Sequence, residues 1–348
     1  VISLSYLIIS FFFLLSIKKI KLSRSKFILY GFYVFIIIVT PILWMIHGFP
    51  EYVGISPGID RYITFSLIVV PISVILIEKA RYQDLKKLFF ILFLVTTVLA
   101  ILAISGLMIT ENDHERLSVL GGGPIVFARW LGYGVIYLLI FPLKKRWFQI
   151  PLILLFLALI LATGSRGPVL SLIITFFLYY IFNFKHFILK GVAILIVLIS
   201  LLFNDNVSKR LEKLGNTDRI FMNFSAEGVK KKSTSARIVF NQRSFDLIKQ
   251  YPIGVGAGNW QRMINQQKPE HLIKHEYPHN LFLEVAAEYG VLAVVILLLL
   301  ILHMFYLVFN KMQVHSFNSG IYALCFYLSV FFLLNSLVSG MIADSRLL

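Results

Sequence analysis

The segment Tyr277-Pro278-His279-Asn280-Leu281-Phe282-Leu283-Glu284 carries the clearest chemistry in the chain. Pro278 disfavours helix before it and Asn280 is a good N-cap, so a helix is expected to start here. Its free N–H groups form an end that attracts phosphate. Asn280, Glu284 and Glu288 recur every four residues on one face, with Leu281, Phe282, Val285 and Tyr289 as the apolar side. His279 then stands at the mouth of a site. An imidazole with an ordinary pKa near 6.5 is a general-base candidate there. The competing reading is an interfacial histidine with no role.

Arginines come from several separate segments. Arg166 lies in Gly164-Ser165-Arg166-Gly167, between two short apolar runs. Charge near membrane depth is costly and is usually functional or paired; the alternative is contact with lipid phosphate. Arg116 precedes Gly121-Gly122-Gly123-Pro124, and Arg129 lies slightly deeper in the next span. Glu111, Asp113 and Glu115 are available to pair with these arginines. Arg237 and Arg243 lie on one amphipathic segment but on different faces, so one aims at a site and the other is solvated. Arg346 follows Asp344 near the C-terminal end. Guanidinium forks suit phosphate oxygens bidentately, and the set fits a pyrophosphate better than a carbohydrate alone.

Other motifs exclude more than they propose. Gly254, Gly256 and Gly258 lack a surrounding βαβ unit, so they are not a dinucleotide fingerprint. There is no Walker A lysine motif and no Asp-x-Asp pair. His271, His275 and His279 recur every four residues, but Pro278 interrupts a helix there and no thiolate or acidic ligand accompanies them. No metal site and no cofactor are expected.

The elements that position these residues follow from composition. Of 348 residues, 58% are apolar and 14% charged, and the mean hydropathy is +0.83. Soluble domains are roughly 45–50% apolar and about 25% charged. That excludes an ordinary cytosolic enzyme, a disordered chain and a disulfide-stapled domain. At about 20 residues per span, the apolar content predicts an all-α, polytopic transmembrane helical bundle of about ten spans. Apolar runs lie near 1–17, 27–46, 62–77, 88–109, 125–142, 147–163, 168–183, 187–203, 289–309 and 319–339. The net charge of +16 marks cytoplasmic loops and anionic lipid rather than nucleic acid. The lone cysteine, Cys325, lies in an apolar run and reads as a small core residue. The chain starts at Val1, already apolar, so the true N-terminus is expected to be missing.

Basic residues concentrate in alternate connections: Lys18 to Lys26, then Lys79 to Lys87, then Lys144 to Arg146. The positive-inside rule puts these in the cytoplasm. Residues 204–278, the one long hydrophilic connection, then fall outside. They carry 13 Lys and Arg against 7 Asp and Glu. Loops this long cross regardless of charge and are usually functional, so an anionic ligand is the simplest reason for the basic excess. Three segments are expected: spans over 1–203, a large, mostly helical extracytoplasmic loop with an interfacial helix over 204–288, and two spans over 289–348. Within the loop, Ser235 to Tyr251 reads as an amphipathic helix with Ile238, Phe245, Ile248 and Tyr251 on one stripe. Pro252 ends it. Gly254 to Trp260 reads as a flexible turn, and a short second helix covers Trp260 to Lys268.

Four stretches resemble the O-antigen ligase and polymerase superfamily of bacterial polytopic membrane proteins. Thr163-Gly164-Ser165-Arg166-Gly167 is similar to that family's Ser-Arg-Gly element. Ser235-Ala236-Arg237 with Tyr251-Pro252-Ile253-Gly254-Val255-Gly256-Ala257-Gly258 is similar to its loop helix and Pro-x-Gly-x-Gly turn. Tyr277 to Glu284 with Glu288-Tyr289-Gly290 is similar to its His-Asn block. Arg116 with Gly122-Gly123-Pro124 is a looser match. The resemblance implies glycan transfer on the outer face of the bacterial cytoplasmic (inner) membrane. The donor would be a sugar chain on polyprenyl pyrophosphate, usually undecaprenyl, and the acceptor a sugar hydroxyl. It implies His279 as base and Arg166 and Arg237 as pyrophosphate ligands, with Arg116 and Arg346 as weaker candidates and Asn280, Glu284, Gly254 and Gly256 in support. It implies neither metal nor ATP. Expected partners are the lipid-linked glycan, an acceptor glycan or lipid A–core, membrane lipids, and a chain-length regulator or flippase; nucleic acid is not among them. A polysaccharide polymerase is slightly favoured over a ligase. A transporter of lipid-linked glycans, or a transferase relying on Glu51, Asp60 or Asp113, are the competing classes.

Overall fold

The computed structural model describes residues 24–49, 62–63, 65–79, 81–106, 117–120, 123–183, 232–264, 278–314 and 320–339. These residues form helices and no strand. In chain order they are α1 (Arg24–His47), a π-helical turn (Phe65–Val69) leading into α2 (Val70–Lys79), α3 (Tyr82–Ile104), α4 (Pro124–Ile140), α5 (Arg146–Ala162), α6 (Arg166–Asn183), α7 (Lys232–Gln250), α8 (Asn259–Ile264), α9 (Leu281–Tyr289), α10 (Val291–Val314) and α11 (Gly320–Ser339).

Among the described residues, four helical stretches are long and apolar enough to cross a membrane: Lys26–His47, Tyr82–Ile104, Val291–Lys311 and Gly320–Val338. Four more are apolar but shorter: Phe65–Ile75, Pro124–Ile140, Arg146–Ala162 and Arg166–Phe182. The apolar runs near 1–17 and 187–203 lie outside the described residues, as does all of 204–231. Among the described residues the chain is all-helical with four candidate membrane spans; the ten expected spans and the large loop are not confirmed.

The described residues divide into two compact units. The first draws on Val1–Arg81, Ala236–Leu307 and Ser336–Leu347, the second on Tyr82–Ser235 and Val308–Asn335.

In the first unit, α1 meets α9 across a core of Phe32, Ile36, Trp44, Leu281, Val285 and Tyr289, joined by Phe65, Val70 and Val74. α1 contains Pro41. Proline has no N–H, so the Ile37 carbonyl one turn back loses its helical donor. The Tyr62 hydroxyl supplies the missing bond, donating to Ile37 O at 2.8 Å. In an apolar setting a backbone carbonyl left without a donor costs free energy, so a residue beyond the end of α1 completes that helix.

In the second unit α4 is the central helix. Side chains from Phe127 to Leu138 are buried on every face but one, that of Trp130. Its two glycines allow close approach: a Cβ on Gly134 would lie 2.6 Å from Phe156 Cε2 of α5 and 2.8 Å from Thr96 Cγ2 of α3. Small residues serve this purpose in membrane bundles, where packing rather than water exclusion drives helix association. Phe93 of α3 stacks on Tyr137 with centroids 4.7 Å apart, and the Tyr133 hydroxyl donates to Phe89 O at 2.6 Å. The α4–α5 turn is fastened by Gln149, which donates to Leu138 O at 2.9 Å and accepts from Leu143 N at 3.2 Å.

A double-mutant cycle tests the Pro41 compensation. Tyr62→Phe should destabilise the chain by about 1–2 kcal/mol, since it leaves a buried acceptor unsatisfied. In a Pro41→Ala background, where residue 41 donates to Ile37 O itself, the same change should cost less than half as much. Thermal unfolding in nanodiscs reads both; equal costs in the two backgrounds would exclude this role for Tyr62.

Candidate functional site

His279 takes its position from the residue after it. Asn280 is extended and caps α9, its side-chain oxygen accepting from Phe282 N at 3.0 Å and Leu283 N at 3.2 Å. Its amide group donates to Leu337 O in the last turn of α11 at 3.1 Å, where helical carbonyls have no intrahelical donor. One side chain thus satisfies groups at two helix ends. His279 itself has a φ of +57°, a left-handed conformation that is uncommon for a residue with a Cβ. Its half-buried imidazole lies nearly parallel to the Phe240 ring of α7, with centroids 6.4 Å apart and planes at 22°. Stacking on one side and the cap on the other hold the unusual backbone in place.

α7 faces this site with a different stripe from the one its apolar residues suggest. Ile238 is 53% and Phe245 55% exposed. The packed side is Phe240, Ser244 and Leu247, with Ile248 and Tyr251, against Val255, Trp260 and Ala287. Ser244 belongs there because its hydroxyl accepts from Trp260 Nε1 at 2.9 Å and donates to Phe240 O at 2.7 Å. A polar residue on a buried stripe disguises it in an apolar pattern. Arg237 falls one turn before Phe240 and Asn241 on this packed face and is partly buried, whereas Arg243 is exposed.

The glycine turn is fastened rather than flexible. Val255 N donates to Ala287 O at 3.0 Å and Gly256 N to Glu288 O at 2.8 Å, and Val291 N returns a bond to Pro252 O at 2.9 Å. Gly258 N donates to the Glu288 carboxylate at 2.8 Å. The turn therefore supplies donors to carbonyls at the C-terminal end of α9. Glycine is required at both supporting positions. Gly254 has φ +96°, and a Cβ there would lie 2.6 Å from Gly290 N and 2.7 Å from Glu288 O. Gly256 has φ +90°, and its Cβ would lie 2.8 Å from Trp44 Cδ1. Trp44 of α1 donates from Nε1 to Ala257 O at 3.0 Å. Asn259 donates to Gly48 O at 2.9 Å and to Val255 O at 2.8 Å, and Arg262 to Phe49 O at 2.6 Å. The short helix after the turn, α8, ends at Ile264; the expected extension to Lys268 runs outside the described residues.

Glu284 and Glu288 are 0% and 1% exposed. The polar face of α9 is thus as buried as its apolar face. Glu288 serves the turn, and Glu284 sits in the first turn of α9, where a carboxylate complements the helix dipole. Structural partners that the sequence reading did not single out are Trp44, Phe240, Ser244, Asn259 and Trp260. A tryptophan beside a glycine-rich turn is the available signal, since a buried indole N–H needs an acceptor.

Arg166 lies in the second unit and is the first residue of α6. Thr163 sets the link before it, donating from its hydroxyl to Ile160 O at 2.7 Å and accepting from Ser165 N at 3.2 Å. Gly164 takes φ +60°. Ser171 Oγ donates to Gly167 O at 2.8 Å. Arg166 is half-buried, at a helix start that favours anions. Arg116 and Arg346 lie outside the described residues.

Residues 151–298 match the family model described as O-antigen ligase. The matched stretch runs from α5 into α10 and contains Arg166, Arg237, the glycine turn and His279. It supports the chain's place in the O-antigen ligase and polymerase superfamily, and with it a role in polysaccharide biosynthesis at a membrane. No curated protein matches the chain.

Asn280→Ala should remove both the cap and the Leu337 bond and lower stability by about 1–3 kcal/mol. Asn280→Asp keeps the cap and loses only the donor to Leu337, so it should cost less. Thermal melts of the two variants check this order; a more damaging Asp would contradict it.

Proposed function

We propose that this chain, as a member of the O-antigen ligase and polymerase superfamily, transfers an oligosaccharide from polyprenyl pyrophosphate to an acceptor sugar hydroxyl. It would do so on the outer face of the bacterial cytoplasmic membrane. The observation that carries the reading is the family match over residues 151–298, within which His279 stands at a capped helix start in a constrained backbone conformation.

In the proposed reaction the acceptor hydroxyl oxygen attacks the anomeric carbon of the donor's first sugar. His279 takes the hydroxyl proton as the new C–O bond forms. The anomeric carbon–oxygen bond to phosphate breaks, and polyprenyl pyrophosphate leaves with the electron pair. Arg166 and Arg237 are the residues assigned to that developing charge, with Arg116 and Arg346 as further candidates. Fixed guanidinium groups do this without a metal, and the donor bond is already activated, so the step needs no nucleotide. Asn280 and the Gly254–Gly256 turn position the base rather than touch substrate. Glu284 supports the same helix start.

Between the two branches of the family we favour a polymerase, in which another lipid-linked repeat is the acceptor. A ligase would instead use lipid A–core. Transport of the lipid-linked glycan is disfavoured because such a path calls for polar groups along the membrane centre and for inverted repeats, and no repeat is visible in the sequence.

The test is glycan transfer in proteoliposomes with a native lipid-linked oligosaccharide, EDTA and no ATP. Wild type should build a ladder of products. His279→Ala should lower the rate by about 10²–10⁴-fold, and Arg166→Ala or Arg237→Ala by about 10²–10³-fold. Transfer only to added lipid A–core would assign a ligase. Donor crossing the bilayer without any product would assign a transporter. Loss of activity in Asp60→Ala but not in His279→Ala would overturn the mechanism.

A further inference from the structure

Helix α7 of the first unit is tied at two points to the level at which candidate spans end. At its C-terminal end the Tyr251 ring stands nearly perpendicular to that of His47, the last residue of α1, with centroids 5.1 Å apart. The turn that follows is bonded to the first residue of α10, Val291 N donating to Pro252 O at 2.9 Å. Nearer the start of α7, Phe240 stacks on His279, and the adjacent Asn280 donates to Leu337 O in the last turn of α11 at 3.1 Å. Each of α1, α10 and α11 holds a stretch long and apolar enough to cross a membrane. If α10 and α11 both cross, the start of one and the end of the next fall on the same side of the bilayer. Trp44, bonded to Ala257 O, brings the end of α1 to that side as well. Residues 240 and 251 are about 16 Å apart along the helix at 1.5 Å per residue. An element tied at both points to span ends runs along the membrane surface instead of standing out from it.

The side of α7 turned away from the protein carries apolar residues. Ile238 and Phe245 are each more than half exposed. With Lys249 they lie within about 40° of one another around the helix, opposite Phe240 and Leu247 of the packed face. Ile253, in the turn, is 74% exposed, although its backbone is pressed so closely on Gly290 that a Cβ there would lie 2.4 Å from Ile253 O. Three large apolar side chains are thus held out of the fold by elements that are themselves fixed. The span ends beside them expose the same kind of surface, at Met45 and Ile46 of α1 and Leu292 of α10. Arg243 and Lys249 are exposed on α7 against one acid, Asp246. Basic residues flanking a bulky apolar stripe suit a phospholipid surface, where a lysine stem lies on apolar matter and its ammonium reaches phosphate.

We propose that the outward stripe of α7, with Ile253, is a membrane-docking surface. It seats this part of the chain on the headgroup–acyl boundary of the leaflet at which α1 and α11 end. Three side chains fall well short of the roughly 800 Å² that each partner of a stable protein complex buries, whereas insertion at a lipid interface needs no matched surface. The docked helix sets the height of Phe240, and through it of His279, relative to the phosphate layer. The inference goes beyond the proposed transfer reaction and does not depend on it.

The test uses the full chain in nanodiscs of phosphatidylcholine and phosphatidylglycerol. In a Cys325→Ala background, Ile238→Cys, Phe245→Cys and Ile253→Cys each carry one environment-sensitive fluorophore, and Gln250→Cys, on the exposed flank of α7, is the control. A nitroxide held near the lipid headgroup should quench the three labels about twofold or more over the control, and iodide in the water should quench them correspondingly less. Iodide reaching all four alike, with no preference for the lipid nitroxide, would place the stripe in water and overturn the proposal. Protection from both quenchers would mean that another segment or a second copy covers the stripe, and would overturn it equally. Should a cysteine variant fail to fold, the unaltered chain is photolabelled with phosphatidylcholine bearing a diazirine near the headgroup. Adducts should fall on Ile238, Phe245 and Ile253; adducts on Met45 and Ile46 without them would exclude docking. Neither readout requires glycan transfer, so this proposal and the transferase reading fail separately.

Discussion

The region around His279 depends on one clasp, in which the turn after Pro252 donates backbone N–H groups to the last carbonyls of α9. A helix end in apolar surroundings carries carbonyls that water would otherwise satisfy. Here Val255 and Gly256 provide the donors, and the Glu288 carboxylate takes the Gly258 N–H. Because α9 is only nine residues long, fixing its far end also fixes its near end, where Asn280 and His279 lie. The clasp reaches α1 through Trp44 and Ala257 and α7 through Trp260 and Ser244. The histidine is thus held from three directions by parts of the chain far apart in sequence.

Much of this was legible beforehand, for identifiable reasons. Asn280 as a cap follows from its residue type before an apolar run, and Pro278 marks the boundary. The helical spans follow from apolar runs, although α9 and α10 are parted by Gly290 with φ +89° just where one run begins. Periodicity points to the wrong stripe of α7 because its buried face contains Ser244 while Ile238 and Phe245 face outward; hydrophobic periodicity cannot see a hydroxyl that is doubly bonded inside. The glycine turn reads as flexible because glycines in sequence advertise freedom. Here they are fixed at positive φ in contacts too close for any Cβ.

Hydroxyls in this chain mostly bond the backbone one turn back, whereas gaps at helix ends, prolines and turns are closed by residues farther away. Pro41 opens a gap in α1 that Tyr62 closes, Asn280 serves both its own helix and α11, and Gln149 closes the α4–α5 turn. Each device puts a donor where a membrane-facing fold has no water to offer. It also explains why stability and site geometry are hard to separate in such a protein: the bonds that satisfy the backbone are the bonds that aim the side chains.

The clasp carries its own optical gauge. Trp44 and Trp260 are 6% and 1% exposed, while Trp147 is 64% exposed, and both buried indoles spend their N–H on the clasp or the helix packed against it. Indole emission responds to the polarity and bonding of the ring. Two of the chain's four tryptophans therefore report on the piece of structure that holds His279, so with Trp130 and Trp147 replaced by Phe a quencher confined to water and one confined to lipid would read its opening without any added dye.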